Sequence, residues 1–417
     1  MKVDHWMYKC EGNNNIIFTD EKSNFILKIP KIKNKKRKNV RSTDCVLKEN
    51  NFVNKAIHPL LEKSSVRYQL KLLQLSERTR RQLSEGLQKK SRQMANTDFG
   101  LIMPNYRLNL FSDKSDPLKH ANSLPVVSVE LRPKSCYTPK QFDSKMPENK
   151  KTCYFCMTRM YASNKNNEIQ TEYCPFDLFS GNRSRIKRAL RQLIACPQRY
   201  FSLAINDDVV FSSCICRGGK KDNLHYFNEL VQKRLKFTKS ENFIDLLSEA
   251  LLLPVTSKDY GNAPKSNHCR LPDTNDTELN PEDTYSKSVL ALINSVQRKR
   301  NVPLQKILKL NDFENQLNGS EEMLYCSQLT DYIISRIFSC CSLILSFQEL
   351  HENQGLISEA AEKENVIVSA DGKKYKVLFA LIDLYKDDSS EKVVEFCQRE
   401  QSVVDFYLSQ SSKMVRG

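Results

Sequence analysis

The apolar run Leu124 to Val129 passes directly into Glu130-Leu131-Arg132-Pro133-Lys134. Such a run reads as a buried strand, and strand alternation puts Glu130, Arg132 and Lys134 on one face. An arginine and a lysine on one face, oriented by a glutamate, make a site for a strongly anionic ligand. A strand ending in a solvated charged loop is the plainer reading of the same residues. The pentapeptide alone does not separate the two.

At 417 residues the chain is long enough for a full core and for two lobes. Its net charge of +16 points to anionic partners: nucleic acid, phosphoinositide headgroups or a soluble polyphosphate. The dense basic patch Lys31 to Lys38 reads equally as a nuclear-import signal and as a solvated charge run. Met1 to Lys9 has no apolar core of a secretory signal. The 14 irregularly spaced cysteines are therefore expected as reduced thiols, in cytosol or nucleus. No uncharged apolar segment approaches the length of a membrane span. Among 11 glycines there is neither G-x-G-x-x-G nor G-x-x-x-x-G-K-[ST], so a nucleotide must be held another way.

Ile16 to Thr19 and Phe25 to Ile29 flank the turn residues Asp20 to Asn24 and predict a hairpin. Glu11-Gly12-Asn13 leads into it. A glycine followed by residues that tolerate positive φ can bring backbone N–H groups close to a phosphate, with Lys28 on the returning strand in reach. An ordinary hairpin with a solvated lysine is the bland alternative. Residues 31–98 are polar and helical in character, and Leu101 to Asn105 is a short apolar run stopped by proline. Ser180-Gly181-Asn182 predicts the cap of a helix to Ile194, with Ile186, Leu190, Leu193 and Ile194 inward and Arg183, Arg185, Lys187, Arg188 and Arg191 on its other faces. Phe201 to Ile205 and Val209 to Ser213 flank a second hairpin turn, Asn206 to Asp208. Residues 254–287 read as a loop or insertion. Helical patterns follow over 286–300, 302–316 and 321–338, then strands at Ser342 to Phe347 and Tyr375 to Leu384, and a last helix from Glu391 to Leu408. The mixture predicts an α+β fold.

Cys153-x-x-Cys156 is half of a zinc ribbon. Cys174 follows, but no second C-x-x-C completes the pattern, Cys214 and Cys216 are too close together, and His268-Cys269 lacks neighbours. The spacing therefore does not point to zinc. The six histidines suggest no catalytic triad, and no RNA- or DNA-binding module is recognisable.

Several of these pieces occur in order in one family. The chain resembles the inositol-pentakisphosphate 2-kinases over nearly its whole length. Glu11-Gly12-Asn13 resembles that family's nucleotide loop, Met103-Pro104-Asn105 its hinge, and Glu130-Leu131-Arg132-Pro133-Lys134 its E-x-K-P-K signature. Cys153-Tyr154-Phe155-Cys156-Met157 and the block Tyr173 to Asn182 resemble its middle region, and Cys341-Ser342 and Ile382-Asp383-Leu384 its C-terminal blocks. The resemblance implies a two-lobed, kinase-like α+β fold. Residues 1–108 would form a smaller N-lobe with the nucleotide loop and hairpin, and 109–417 a C-lobe with the inositol phosphate site. It implies ATP and Mg²⁺ as cofactors and transfer of the γ-phosphoryl group to the 2-hydroxyl of inositol pentakisphosphate. Gly12, Asn13, Lys28, Asn105 and Glu130 would serve ATP. Arg132, Lys134, Arg199 and Lys386 would serve the substrate, with Asp383 as metal ligand and Asp383 and Lys134 as the catalytic pair. A substrate with five phosphates carries roughly −8 to −10 of charge, which the basic excess suits.

The departures bear on rate more than on fold. Where the family has Asp-Cys-Ser, with the Asp as general base, this chain has Cys340-Cys341-Ser342. The family's D-L-D-L-K-P becomes Asp383-Leu384-Tyr385-Lys386-Asp387-Asp388, and its Asn-Asn pair becomes Arg199-Tyr200. Thr158 stands where the family has histidine, and Ser202 where it has a basic residue. The expectation is a monomeric kinase of cytoplasm or nucleus that needs no nucleic acid. A catalytically weakened polyphosphate-binding relative and a basic nucleic-acid-binding protein are the alternatives.

Overall fold

A computed structural model describes residues 6–11, 15–20, 24–31, 43–88, 97–108, 124–139, 152–166, 171–216, 218–261, 285–300, 303–316, 327–350, 365–384 and 390–414. The chain divides into two compact units, one of residues 1–62 and 67–116, the other of 63–66 and 117–417.

The first unit contains β1 (Met7–Glu11), β2 (Asn15–Asp20), β3 (Phe25–Pro30), α1 (Thr43–Phe52), α2 (His58–Leu61), β4 (Lys71–Gln74), α3 (Glu77–Gln88) and β5 (Phe99–Pro104). Its antiparallel sheet runs β1-β2-β3-β5-β4. The hairpin read from the sequence is the β2–β3 pair, with Ile16 opposite Ile29 and Phe18 opposite Leu27. These four side chains are buried with Leu83 and Leu87 of α3. Alternation in the strands and a spacing of four in the helix thus meet in one apolar layer. The stretch 31–98, read as mostly helical, also supplies the edge strand β4. That strand is too short and too polar to show a period of two.

The second unit contains β6 (Val126–Leu131), α4 (Tyr154–Asn166), α5 (Pro175–Leu178), α6 (Arg183–Ala195), β7 (Phe201–Ile205), β8 (Asp208–Phe211), α7 (Lys220–Lys233), α8 (Ser240–Leu252), α9 (Val289–Arg298), α10 (Leu304–Gln316), α11 (Ser327–Cys340), β9 (Ser342–Glu349), β10 (Val366–Val368), β11 (Lys374–Ile382) and α12 (Ser390–Met414). Its antiparallel sheet runs β10-β11-β9-β6-β7-β8. Central β9 and β11 bury successive residues, Leu343 to Leu345 and Val377 to Leu381. Covering on both faces explains why they read as unbroken apolar runs. The β7–β8 turn places Asn206 and Asp207 at φ +50° and +72°, the left-handed pair a tight hairpin needs. The Asn206 side chain also accepts from Val126 N at 2.9 Å.

Asn182 caps α6 by accepting from Arg185 N at 3.0 Å, and Ile186, Ala189, Leu190, Leu193 and Ile194 are buried. Its basic residues are not a free anion-binding face. Arg183, Lys187 and Arg191, spaced by four, pair with Glu249, Asp245 and Glu241 of α8, also spaced by four. Arg185 and Arg188 converge on buried Asp177 at 3.0 and 2.7 Å. Of the segment read as an insertion, Val255 N bonds Lys287 O at 2.9 Å, while 262–284 lie outside the described residues. So does most of the basic patch, 32–38, and His268-Cys269.

Candidate functional site

Three neighbouring strands decide which residues share one end of the larger sheet. Leu131 pairs with Leu343, and Ile382 with Ser342. The residues just past β6 and β11, Arg132 and Asp383, therefore flank Ser342 at the start of β9. On the other side Leu131 pairs with Phe201, and Arg132 N donates to Tyr200 O at 2.9 Å. Arg199 and Tyr200 reach the same end.

Arg132 is the hub. Its Nε donates to Ser342 Oγ at 3.0 Å and lies 3.5 Å from Glu130 Oε1, and its Nη2 lies 3.7 Å from Asp383 Oδ2. Ser342 Oγ in turn donates to Asp383 Oδ2 at 3.4 Å. Two carboxylates thus share one guanidinium, and none of the three groups is fully enclosed. The planar fork of an arginine also matches phosphate oxygens two at a time. A phosphate arriving here would compete with carboxylates for that fork.

Lys134 arrives differently from the sequence expectation. The strand stops at Leu131, and Lys134 has φ +65°, so alternation is not what places it. Its Nζ sits 4.5 Å over the Tyr200 ring. Burial draws the ammonium below its ordinary pKa; the Cys340 sulfur acts against this, and the Arg132 charge adds to it. The backbone around it is pinned. The buried Gln297 side chain donates to Lys134 O at 2.9 Å and Phe338 O at 3.1 Å, and accepts from Cys136 N at 2.7 Å. Tyr173, fully buried, donates its hydroxyl to Pro133 O at 2.6 Å. The middle block therefore braces the pentapeptide from behind.

The structure thus brings together Glu130, Arg132, Lys134, Arg199 and Asp383. The Arg199 side chain is exposed. Cys340 closes α11 with an exposed side chain, while the adjacent Cys341 thiol is buried and pushed up by that burial. Lys28 and Asn105 belong to the first unit. Lys28 is largely buried on β3 opposite Leu101. Asn105 follows β5, its N–H donating to Asn24 O at 2.8 Å and its side chain accepting from Arg107 N at 3.2 Å. Gly12, Asn13 and Lys386 lie outside the described residues. Sequence reasoning gave no role to Tyr200, Ser342 or Gln297. Tyr200 follows Arg199 and Ser342 opens an apolar strand, which are weak signals, and Gln297 gives none because its partners are 163 and 41 residues away.

Comparison with known proteins is consistent along the chain. The family model described as inositol-pentakisphosphate 2-kinase matches residues 8–402. An inositol-pentakisphosphate 2-kinase of Danio rerio is 25% identical over 347 residues, which covers 74% of this chain and 69% of the relative. Inositol-pentakisphosphate 2-kinase IPK1 of Oryza sativa subsp. indica is 24% identical over 298 residues, 67% of this chain and 60% of the relative. The chain thus spans about two thirds of the length of these relatives. A Drosophila melanogaster inositol-pentakisphosphate 2-kinase is 33% identical over 91 residues, 20% of this chain and 14% of the relative. With the match to residues 8–402 spanning both compact units, the chain belongs to the inositol-pentakisphosphate 2-kinase family of phosphotransferases, a membership that implies use of ATP.

Proposed function

We propose that this chain transfers the γ-phosphoryl group of ATP to the 2-hydroxyl of inositol 1,3,4,5,6-pentakisphosphate, giving inositol hexakisphosphate. The observation that carries the reading is the cluster of Arg132, Glu130, Asp383 and Ser342 at one sheet end, inside a family match over residues 8–402. We read the first unit as the smaller lobe of a kinase-like fold and the second as the larger, with the chain passing from one to the other near residue 116. The smaller one, with Lys28, Asn105 and residues Gly12 and Asn13, serves the nucleotide. Arg132, Lys134, Arg199 and Lys386 take substrate phosphates. A monomer in cytoplasm or nucleus completes the reading, and no described helix is long and apolar enough to cross a membrane.

The oxygen donors at this sheet end suit Mg²⁺, which takes one or two carboxylates and leaves its other positions to phosphates and water. Asp383, with Ser342 beside it, would hold the ion. When bound, Mg²⁺ neutralises phosphate charge and helps align ATP. The protein's own part is positioning. Arg132 fixes the carboxylates while it is unliganded, and Lys134 presents its ammonium from a rigid turn. Replacing Lys134 by Ala is expected to raise the substrate Kd about tenfold to hundredfold, the roughly 1.5–3 kcal/mol of a charge-assisted bond. Titration calorimetry with inositol pentakisphosphate reads this, and an unchanged Kd would remove Lys134 from the substrate site.

Cys340 stands where the family places its general base. A neutral thiol is a poor proton acceptor compared with a carboxylate, and a general base contributes about 10²- to 10⁴-fold. We read Cys340 as a passive occupant and the enzyme as slow, since a loose phosphoryl-transfer transition state places its main demand on charge and alignment. Cys340→Asp is then expected to raise kcat with little change in KM. A lower kcat, or loss of turnover but not of binding after thiol alkylation, would show that the sulfur takes part in the chemistry. Incubation with Mg-ATP and inositol pentakisphosphate tests the reading as a whole. Hexakisphosphate as product supports it, and tight binding without product would make the chain a polyphosphate-binding relative.

A further inference from the structure

Cys153, Cys156 and Cys174 come together from two segments, with their sulfurs all within 4.8 Å of one another. Cys153 and Cys174 are buried and Cys156 is half-buried. Cys153 immediately precedes α4 and Cys174 immediately precedes α5. The Cys156 N–H donates to Cys153 Sγ at 3.4 Å, a backbone bond from a helix N-terminus that favours a thiolate.

The spacing of the sulfurs separates two uses of such a group. Cys153 Sγ and Cys174 Sγ are 3.9 Å apart. Sulfurs bound tetrahedrally to one zinc at about 2.3 Å lie about 3.8 Å from each other, whereas a disulfide needs about 2.05 Å.

We propose that Cys153, Cys156 and Cys174 form a structural zinc site, with a fourth position open to water or a further ligand. The fold brings Cys174 within reach of the C-x-x-C pair. The ion would tie the start of α4 to the segment before α5. Tyr173, next to Cys174, holds Pro133 O, and Tyr154, next to Cys153, bonds Tyr137 O through its N–H at 2.8 Å. The site would thereby brace both flanks of residues 133–137.

The test uses the full chain, grown with zinc and dialysed. Elemental analysis is expected to find one zinc per chain, released by a mercurial thiol reagent. Cobalt exchanged for zinc should give the thiolate-to-cobalt charge-transfer band and the visible bands of a tetrahedral site. Cys156→Ser and Cys174→Ser should lose most of the metal, while Cys214→Ser, at an exposed thiol outside the trio, should keep it. Metal-free protein that gives no charge-transfer band with cobalt would overturn the proposal, as would a Cys153–Cys174 disulfide in the native chain. Because the cobalt spectrum is taken on the unsubstituted protein, a serine variant that fails to fold leaves the test decisive.

Discussion

Asp383→Asn is expected to lower turnover by about 10³-fold or more while leaving the protein folded. Under the proposal that Asp383 holds Mg²⁺, its loss removes several kcal/mol of transition-state stabilisation, and each 1.36 kcal/mol is about tenfold in rate. The fold should survive for two reasons. Asp383 has φ +62°, a conformation asparagine accepts as readily as aspartate. Its pairing with Arg132, at 3.7 Å and with both side chains partly exposed, contributes only about 0–1 kcal/mol. Hexakisphosphate formation and a thermal melt, measured on the same preparation, check both halves. Near-normal turnover would refute the assignment of Asp383.

Arg300→Met is expected to lower stability by about 3–5 kcal/mol, read as a lower denaturant midpoint. Arg300 and Glu400 form a buried ion pair with side chains 4% and 5% exposed. The guanidinium stacks 4.5 Å from the Tyr332 ring centre and 4.9 Å from that of Tyr137. Removing the cation strands a carboxylate among aromatic rings, the costly way to break a buried pair. Arg300→Met with Glu400→Leu should recover much of the loss, since an apolar pair of similar volume needs no compensation. The single variant also has a pH signature. A stranded Glu400 has a folded pKa above its unfolded value, so its penalty is full above the folded pKa. The penalty shrinks as pH falls through that value towards the unfolded one. The deficit against the parent protein should therefore narrow in acid, and a deficit that widens would argue that Glu400 is not left ionised and unpaired.

Much of the fold was legible because its signals are local. The β2–β3 and β7–β8 hairpins announce themselves through turn residues, and β9 and β11 through apolar runs that only strands covered on both faces sustain. Of the candidate site, the strand-end positions of Arg132 and Asp383 were legible, because each directly follows an apolar strand. What was not legible depends on distance or on backbone conformation. Gln297 and the Cys174 sulfur act on segments far away in sequence. Lys134 was assigned to the strand face because alternation was carried across Pro133, and proline lacks the N–H a strand would use. The charges of α6 read as a basic surface, since nothing local shows that the carboxylates of α8 repeat at the same interval.

Lys134 and Asp383 share a left-handed backbone at φ +65° and +62°, which costs a residue with a side chain roughly 1–2 kcal/mol. Glycine would relieve that cost at either position, so under the roles proposed for Lys134 and Asp383 the side chains are kept against a small folding penalty. In a lineage that had abandoned phosphoryl transfer, these two positions should be the first to drift to glycine or asparagine, well before the core strands beside them change. Under the proposed roles, what stands at these two positions in related chains should track whether each of them forms hexakisphosphate.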